Sequence, residues 1–104
     1  MARRTNQQLI TIPVTSLEIS TPQYGNRNAT RVSITLKNSS TAGETITLGV
    51  GTSAIAGVGL VLKAGETVSF SKDGGYIPSQ EQFTAIADVG TAKLSLFEEI
   101  EDVV

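Results

Sequence analysis

The sequence predicts an all-β fold: a small antiparallel β sandwich or jelly-roll-like barrel of seven to eight short strands with an extended N-terminal arm. Three observations carry that expectation. Between Leu9 and Glu99, short runs alternate apolar and polar residues, the period-two pattern of half-buried strands. Glycine, asparagine or aspartate interrupts each run, as turns between strands require. No window long enough for a helix repeats its apolar residues at three-and-four spacing.

Taken in order, Leu9-Ile10-Thr11-Ile12-Pro13-Val14-Thr15 alternates weakly, and Pro13 lacks the amide a central ladder needs. This segment therefore belongs at an edge or on a partner. Leu17 and Ile19 continue into a second short strand, and the turn residues from Thr21 to Asn26 form a loop. The expected division is an arm over residues 1–20 and a β-sandwich domain over 21–104. From Arg31 to Asn38, Val32, Ile34 and Leu36 share one face while Ser33, Thr35 and Lys37 share the other. A turn through Glu44 leads to Ile46, Leu48 and Val50, an expected hairpin partner. The small residues from Gly49 to Gly59 read as a wandering connection. Leu60-Val61-Leu62 and Thr67-Val68-Ser69-Phe70 flank the turn Lys63-Ala64-Gly65-Glu66, a second expected hairpin. Ser79 and Gln82 have the spacing of a capping box, enough for one helical turn. Phe83 to Asp88 and Ala92 to Phe97 flank Val89-Gly90-Thr91 as a third expected hairpin, burying Leu94 and Leu96.

Composition narrows the chemistry. The 104 residues contain neither histidine nor cysteine nor tryptophan, so imidazole bases, imidazole metal ligands and thiolate nucleophiles are all absent. Ser71 and Lys72 are adjacent, which on a strand points them to opposite faces. Gly49-Val50-Gly51 and Gly57-Val58-Gly59 lack the further glycine or lysine of a phosphate loop, and Asp73-Gly74-Gly75 lacks the repeated ligands of a calcium loop. The expectation is a protein that is not an enzyme, with no catalytic residue, no cofactor and no metal. Five aromatic residues and an isoelectric point near 5.0 argue against nucleic acid as a partner. No apolar run reaches the roughly 18 residues needed to cross a bilayer, so no membrane partner is expected.

Charge is polarised along the chain. Up to Lys37 the balance is +4, and from Asn38 onward it is −6. The basic end is densest at Arg3 and Arg4, and the acidic end at Glu98, Glu99 and Glu101, expected as an exposed tail. Complementary ends of this kind could meet on neighbouring copies. The candidate partner-binding residues are therefore Arg3, Arg4, Leu9, Ile10, Ile12, Pro13 and Val14 in the arm, with Glu98, Glu99 and Glu101 at the other end. A small core without large rings favours a homo-oligomer. Tyr24 and Tyr76 keep a second reading open, a receptor- or carbohydrate-binding β-sandwich module.

In three stretches, Ala29 to Leu36, Leu60 to Val68 and Phe83 to Leu94, the chain resembles small virion structural proteins of tailed bacteriophages. The shared pattern is a strand with a basic start, a strand pair about a glycine turn, and an Ala-Ile-Ala-Asp segment followed by Thr-Ala-Lys-Leu and an acidic end. The resemblance implies a compact β sandwich or jelly roll that decorates or cements a capsid, with the major capsid protein or another virion subunit as partner, or alternatively serves as a receptor- or carbohydrate-binding module of a virion fibre or spike. It also implies residence on the capsid surface after synthesis in the host cytoplasm. It assigns no role to any single residue.

Overall fold

The computed structural model describes residues 2–20, 28–71 and 82–103. They form eight strands: β1 (Ala2–Ile12), β2 (Leu17–Ser20), β3 (Asn28–Asn38), β4 (Ile46–Val50), β5 (Leu60–Leu62), β6 (Thr67–Ser71), β7 (Phe83–Ala87) and β8 (Ala92–Val103). Two antiparallel four-stranded sheets result, sheet 1 in the order β1-β8-β3-β6 and sheet 2 in the order β2-β7-β4-β5. This is the jelly-roll arrangement within the expected all-β class.

The core lies between the sheets. Ile34, Leu36, Leu94 and Leu96 of sheet 1 meet Ile46, Leu48, Phe83 and Ala85 of sheet 2, all of them buried. Their even or odd positions along each strand are the alternation visible in the sequence, because successive side chains on a strand point to opposite faces. Phe70 packs at the margin of this core, its ring 5.8 Å from that of Phe83.

The local hairpins do not form as expected. β3 and β4 lie in different sheets, as do β5 and β6, and β7 and β8. Each turn is a corner across the sandwich, and a corner needs the same turn residues between two alternations as a hairpin does. The sequential pair that does zip together is β4 with β5, Ile46 opposite Leu62 and Leu48 opposite Leu60, across the segment expected to wander.

Both chain ends are also longer strands than their sequence patterns suggest. β1 begins at Ala2 and pairs with β8 through eleven register positions, from Ala2 opposite Asp102 to Ile12 opposite Ala92. The expected arm is therefore an edge strand of sheet 1 along this stretch, and β2 is an edge strand of sheet 2. The expected acidic tail is β8, a central strand between β1 and β3. Backbone pairing tolerates the polar sequence Arg3-Arg4-Thr5-Asn6-Gln7-Gln8, which carries no alternation to announce it. Tyr24, Tyr76 and the expected helical turn at Ser79 lie outside the described residues.

Candidate functional site

The outer face of sheet 2 is built differently from that of sheet 1. On sheet 1 the outward residues are mostly polar, among them the exposed Gln7 and Lys37 and the half-buried Thr35 and Ser95, with Leu9 and the half-buried Phe97 between them along a shallow groove of about 390 Å³. On sheet 2 the β4–β5 connection, residues 51–59, folds back over the strands. Thr84 of β7 donates to the carbonyl of Thr52 at 2.7 Å, Thr47 of β4 accepts from the amide of Gly57 at 3.0 Å, and Ser16 accepts from the amide of Ala54 at 2.9 Å. Thr47 and Thr84 are buried beneath it. Gly49 is required there, because a Cβ would meet the Thr84 hydroxyl and come within 2.7 Å of the Thr52 carbonyl.

At its tip this connection makes a tight turn, the amide of Val58 donating to the carbonyl of Ile55 at 3.0 Å. Gly57, with φ of +77°, takes the left-handed position that side chains disfavour. The turn holds Ile55 and Val58 side by side, 62% and 60% exposed. Beside them lies a hollow of about 370 Å³ bordered by Val50, Ile55, Val58 and Leu60. Val61 of edge strand β5 is exposed next to Thr47. Between Glu44 and Lys63 the sequence holds no charged residue. The pinned connection thus presents exposed aliphatic side chains on an uncharged surface.

A second cluster lies within the sandwich, at the end opposite the corners. The bulge in β3 at Val32 turns Arg31 inward. Its guanidinium then meets the Glu98 carboxylate at 2.8 Å and Ser20 of β2 at 2.5 Å, and stands 5.0 Å from the centre of the Phe83 ring. Glu98 also accepts from Ser20 at 2.5 Å and from Asn6 of β1 at 3.1 Å. Burial by itself would raise the Glu98 pKa, but the hydrogen bonds from Ser20, Arg31 and Asn6 and the Arg31 charge more than offset it, holding the carboxyl below its ordinary value. The cluster joins strands of both sheets, and among the described residues no buried side-chain polar atom lacks a hydrogen bond. Its groups are spent on one another, and this fits a structural brace.

The sequence-predicted residues separate accordingly. Leu9 and Val14 are exposed. Ile12 is fully buried in the core, Ile10 packs against it, and the Pro13 carbonyl accepts the amide of Ala87 at 2.9 Å. Arg3 and Arg4 stand on β1 opposite Glu101 and Ile100 of β8, so the two charged ends meet in register within one chain. Glu98, expected in a solvated tail, is 2% exposed and committed to Arg31, because the alternation Leu94, Leu96, Glu98, Ile100 puts it on the inner face. Glu99 points the other way, half-buried, accepting from Ser33 at 3.2 Å. Sequence reasoning missed Ile55 and Val58. Two aliphatics flanking Ala-Gly in an uncharged loop were the available signal.

Among the described residues no group of acidic side chains is placed to hold a metal ion, and no helix is long and apolar enough to cross a membrane. No protein-family model matches the chain, and no curated protein matches it either. Among solved structures the fold is shared. A chain described with the Bacillus endospore appendages, which form a family of disulfide-linked pili, superposes with a TM-score of 0.55 at 17% identity, over 95% of this chain and 83% of that one. The present chain has no cysteine, so the disulfide linkage of those pili has no counterpart here.

Proposed function

We propose that this protein is a non-enzymatic structural subunit that associates with copies of itself, and that it does so on a bacteriophage virion, decorating or cementing the capsid. The observation that carries the self-association is the outer face of sheet 2, where three hydroxyls pin a loop whose outward side is aliphatic. A loop already fixed in place loses little further freedom when it is covered. The fold shared with a pilus-forming chain supports the same reading. Without cysteine, association among copies does not use disulfides.

Among the described residues, four strands also carry a backbone edge left unpaired by the two sheets: β1 and β2 along one side, β5 and β6 along the other. Such edges accept an added strand from a neighbour, and the segment first read as an arm contributes through the β1 edge. Placement on a capsid, with the major capsid protein or another virion subunit as partner, rests on the resemblance of the three sequence segments. Mass measurement of the purified protein, set beside the protein content of purified virus particles, tests both levels. Oligomers in solution and co-purification with particles are expected. A strictly monomeric protein would remove the self-association, and particles devoid of it would remove the capsid assignment.

A further inference from the structure

On the outer face of sheet 1 two apolar side chains, Leu9 and Phe97, stand together. Along the described outward positions of β1, β8, β3 and β6 every other side chain is polar or charged. Gln7 lies opposite Phe97 and Leu9 opposite Ser95, which makes Leu9 and Phe97 diagonal neighbours on adjacent strands. Ser95 also faces Lys37 across the β3–β8 pair, and its short side chain between Leu9 and Lys37 leaves the groove of about 390 Å³. The groove crosses β1, β8 and β3, two strand spacings or about 10 Å. Its floor is aliphatic and aromatic, and around that floor stand the Gln7 amide, the Thr35 and Ser95 hydroxyls and the Lys37 ammonium. Thr35 and Ser95 each bond one neighbouring hydroxyl, Ser69 at 3.0 Å and Ser39 at 2.5 Å, and each keeps a further hydrogen-bonding position.

A sugar ring has the matching build: a C–H face that lies on aromatic and aliphatic surface, and a rim of hydroxyls that amides and hydroxyls bond. A shallow groove on an open sheet face suits a chain of such rings rather than one enclosed sugar. Charge narrows the class. Lys37 is exposed beside the groove, and Lys93 stands at the next outward position beyond Ser95, its Nζ donating to Thr11 at 2.6 Å. Glu99 lies on the far side of Phe97 and accepts from Ser33 at 3.2 Å, so the cations hold the end of the groove nearest Leu9 and Ser95. We infer that this groove binds an acidic polysaccharide, with a sugar ring resting on Phe97 and Leu9, its hydroxyls bonded by Gln7 and Thr35, and its carboxylate paired with Lys37. The site is separate from the self-association proposed above and does not involve Tyr24 or Tyr76.

Electrophoresis through gels holding polygalacturonate, beside gels holding dextran as a neutral polysaccharide, tests it. The chain carries a net charge of −2, so bulk attraction does not hold it to an acidic polymer. The wild type is expected to be slowed by polygalacturonate and not by dextran. The dissociation constant read from the mobilities should rise by more than about tenfold in Phe97→Ala and about fivefold in Lys37→Gln. It should stay near the wild-type value in Phe97→Tyr, which keeps the ring, and in Lys63→Gln, an exposed lysine on the β5–β6 turn outside the groove. Phe97 is half-buried, so its variants are checked by circular dichroism and thermal melts. Lys37 and Gln7 are exposed, and Lys37→Gln with Gln7→Ala carries the test should Phe97→Ala fail to fold. An unretarded wild type, equal slowing by dextran, or undiminished binding in Lys37→Gln or in folded Phe97→Ala overturns the inference.

Discussion

At the corner end of the sandwich Asn38 holds two connections, β3–β4 and β5–β6, through neutral hydrogen bonds, whereas at the opposite end the Arg31–Glu98 ion pair of sheet 1 reaches sheet 2 through Ser20 and Phe83. The Asn38 side chain donates to the carbonyls of Glu44 at 2.8 Å and Leu62 at 2.9 Å and accepts from the amide of Ser40 at 3.1 Å. Its backbone exchanges bonds with Glu66 and Gly65. Glu44, in turn, accepts from the amide of Ala42 and the hydroxyl of Thr91, tying the β3–β4 corner to the β7–β8 corner. An amide can satisfy several backbone groups without the desolvation penalty of an ion, so the corner end is fastened cheaply. The charged end is stable only while both partners are present.

That difference sets the order of expected losses. Arg31→Met leaves Glu98 buried without its cation and should lower unfolding free energy by about 3–5 kcal/mol, read from urea melts. The double variant Arg31→Met with Glu98→Leu should recover most of the loss, since an apolar pair replaces an ion pair of similar size. Asn38→Ala strands the carbonyls of Glu44 and Leu62 and should lose about 2–3 kcal/mol with no comparable rescue by a second apolar change. Gly49→Ala, which pushes the connection off sheet 2, should lose about 1–3 kcal/mol and make the amide of Gly57 exchange faster with solvent, as followed by hydrogen exchange.

Acid should sharpen the comparison further. The Glu98 carboxyl is held below its ordinary value, so the stability it brings is fully present above the unfolded value near 4.5 and is lost as pH falls through the lower folded value. Glu44 shifts in the same direction, through its own backbone amide, the amide of Ala42 and the hydroxyl of Thr91. Thermal midpoints measured on either side of pH 4.5 should therefore fall on the acid side in the wild type. The drop should be smaller in the Arg31→Met, Glu98→Leu double variant, which has lost the buried Glu98 carboxylate, and only slightly smaller in Glu44→Gln.

The sequence made the strands of the core legible because their two faces differ. Val32, Ile34 and Leu36, and again Leu94 and Leu96, alternate cleanly and lie where that alternation puts them. Partner choice was not legible, since a corner and a hairpin use the same turn residues and differ only in what the next strand packs against. Arg31 was hidden by the bulge at Val32, which shifts the register by one residue and reverses its side chain. Glu98 was hidden by its neighbours in an acidic run, although Leu94, Leu96 and Ile100 extend their period through it. The Ile55–Val58 turn was read as loop, correctly for its backbone, but loop residues give no period from which exposure can be inferred.

Because β8 lies between β1 and β3, β1 finds its ladder only with the strand farthest from it in sequence among the eight. Until β8 takes its place, β1 has no neighbour and one side of β3 stands bare, so sheet 1 closes through contacts distant in sequence. Closure through pairing so far apart in sequence is slow for a fold of this size, and until it is complete the bare strand edges stay open to pairing with other chains.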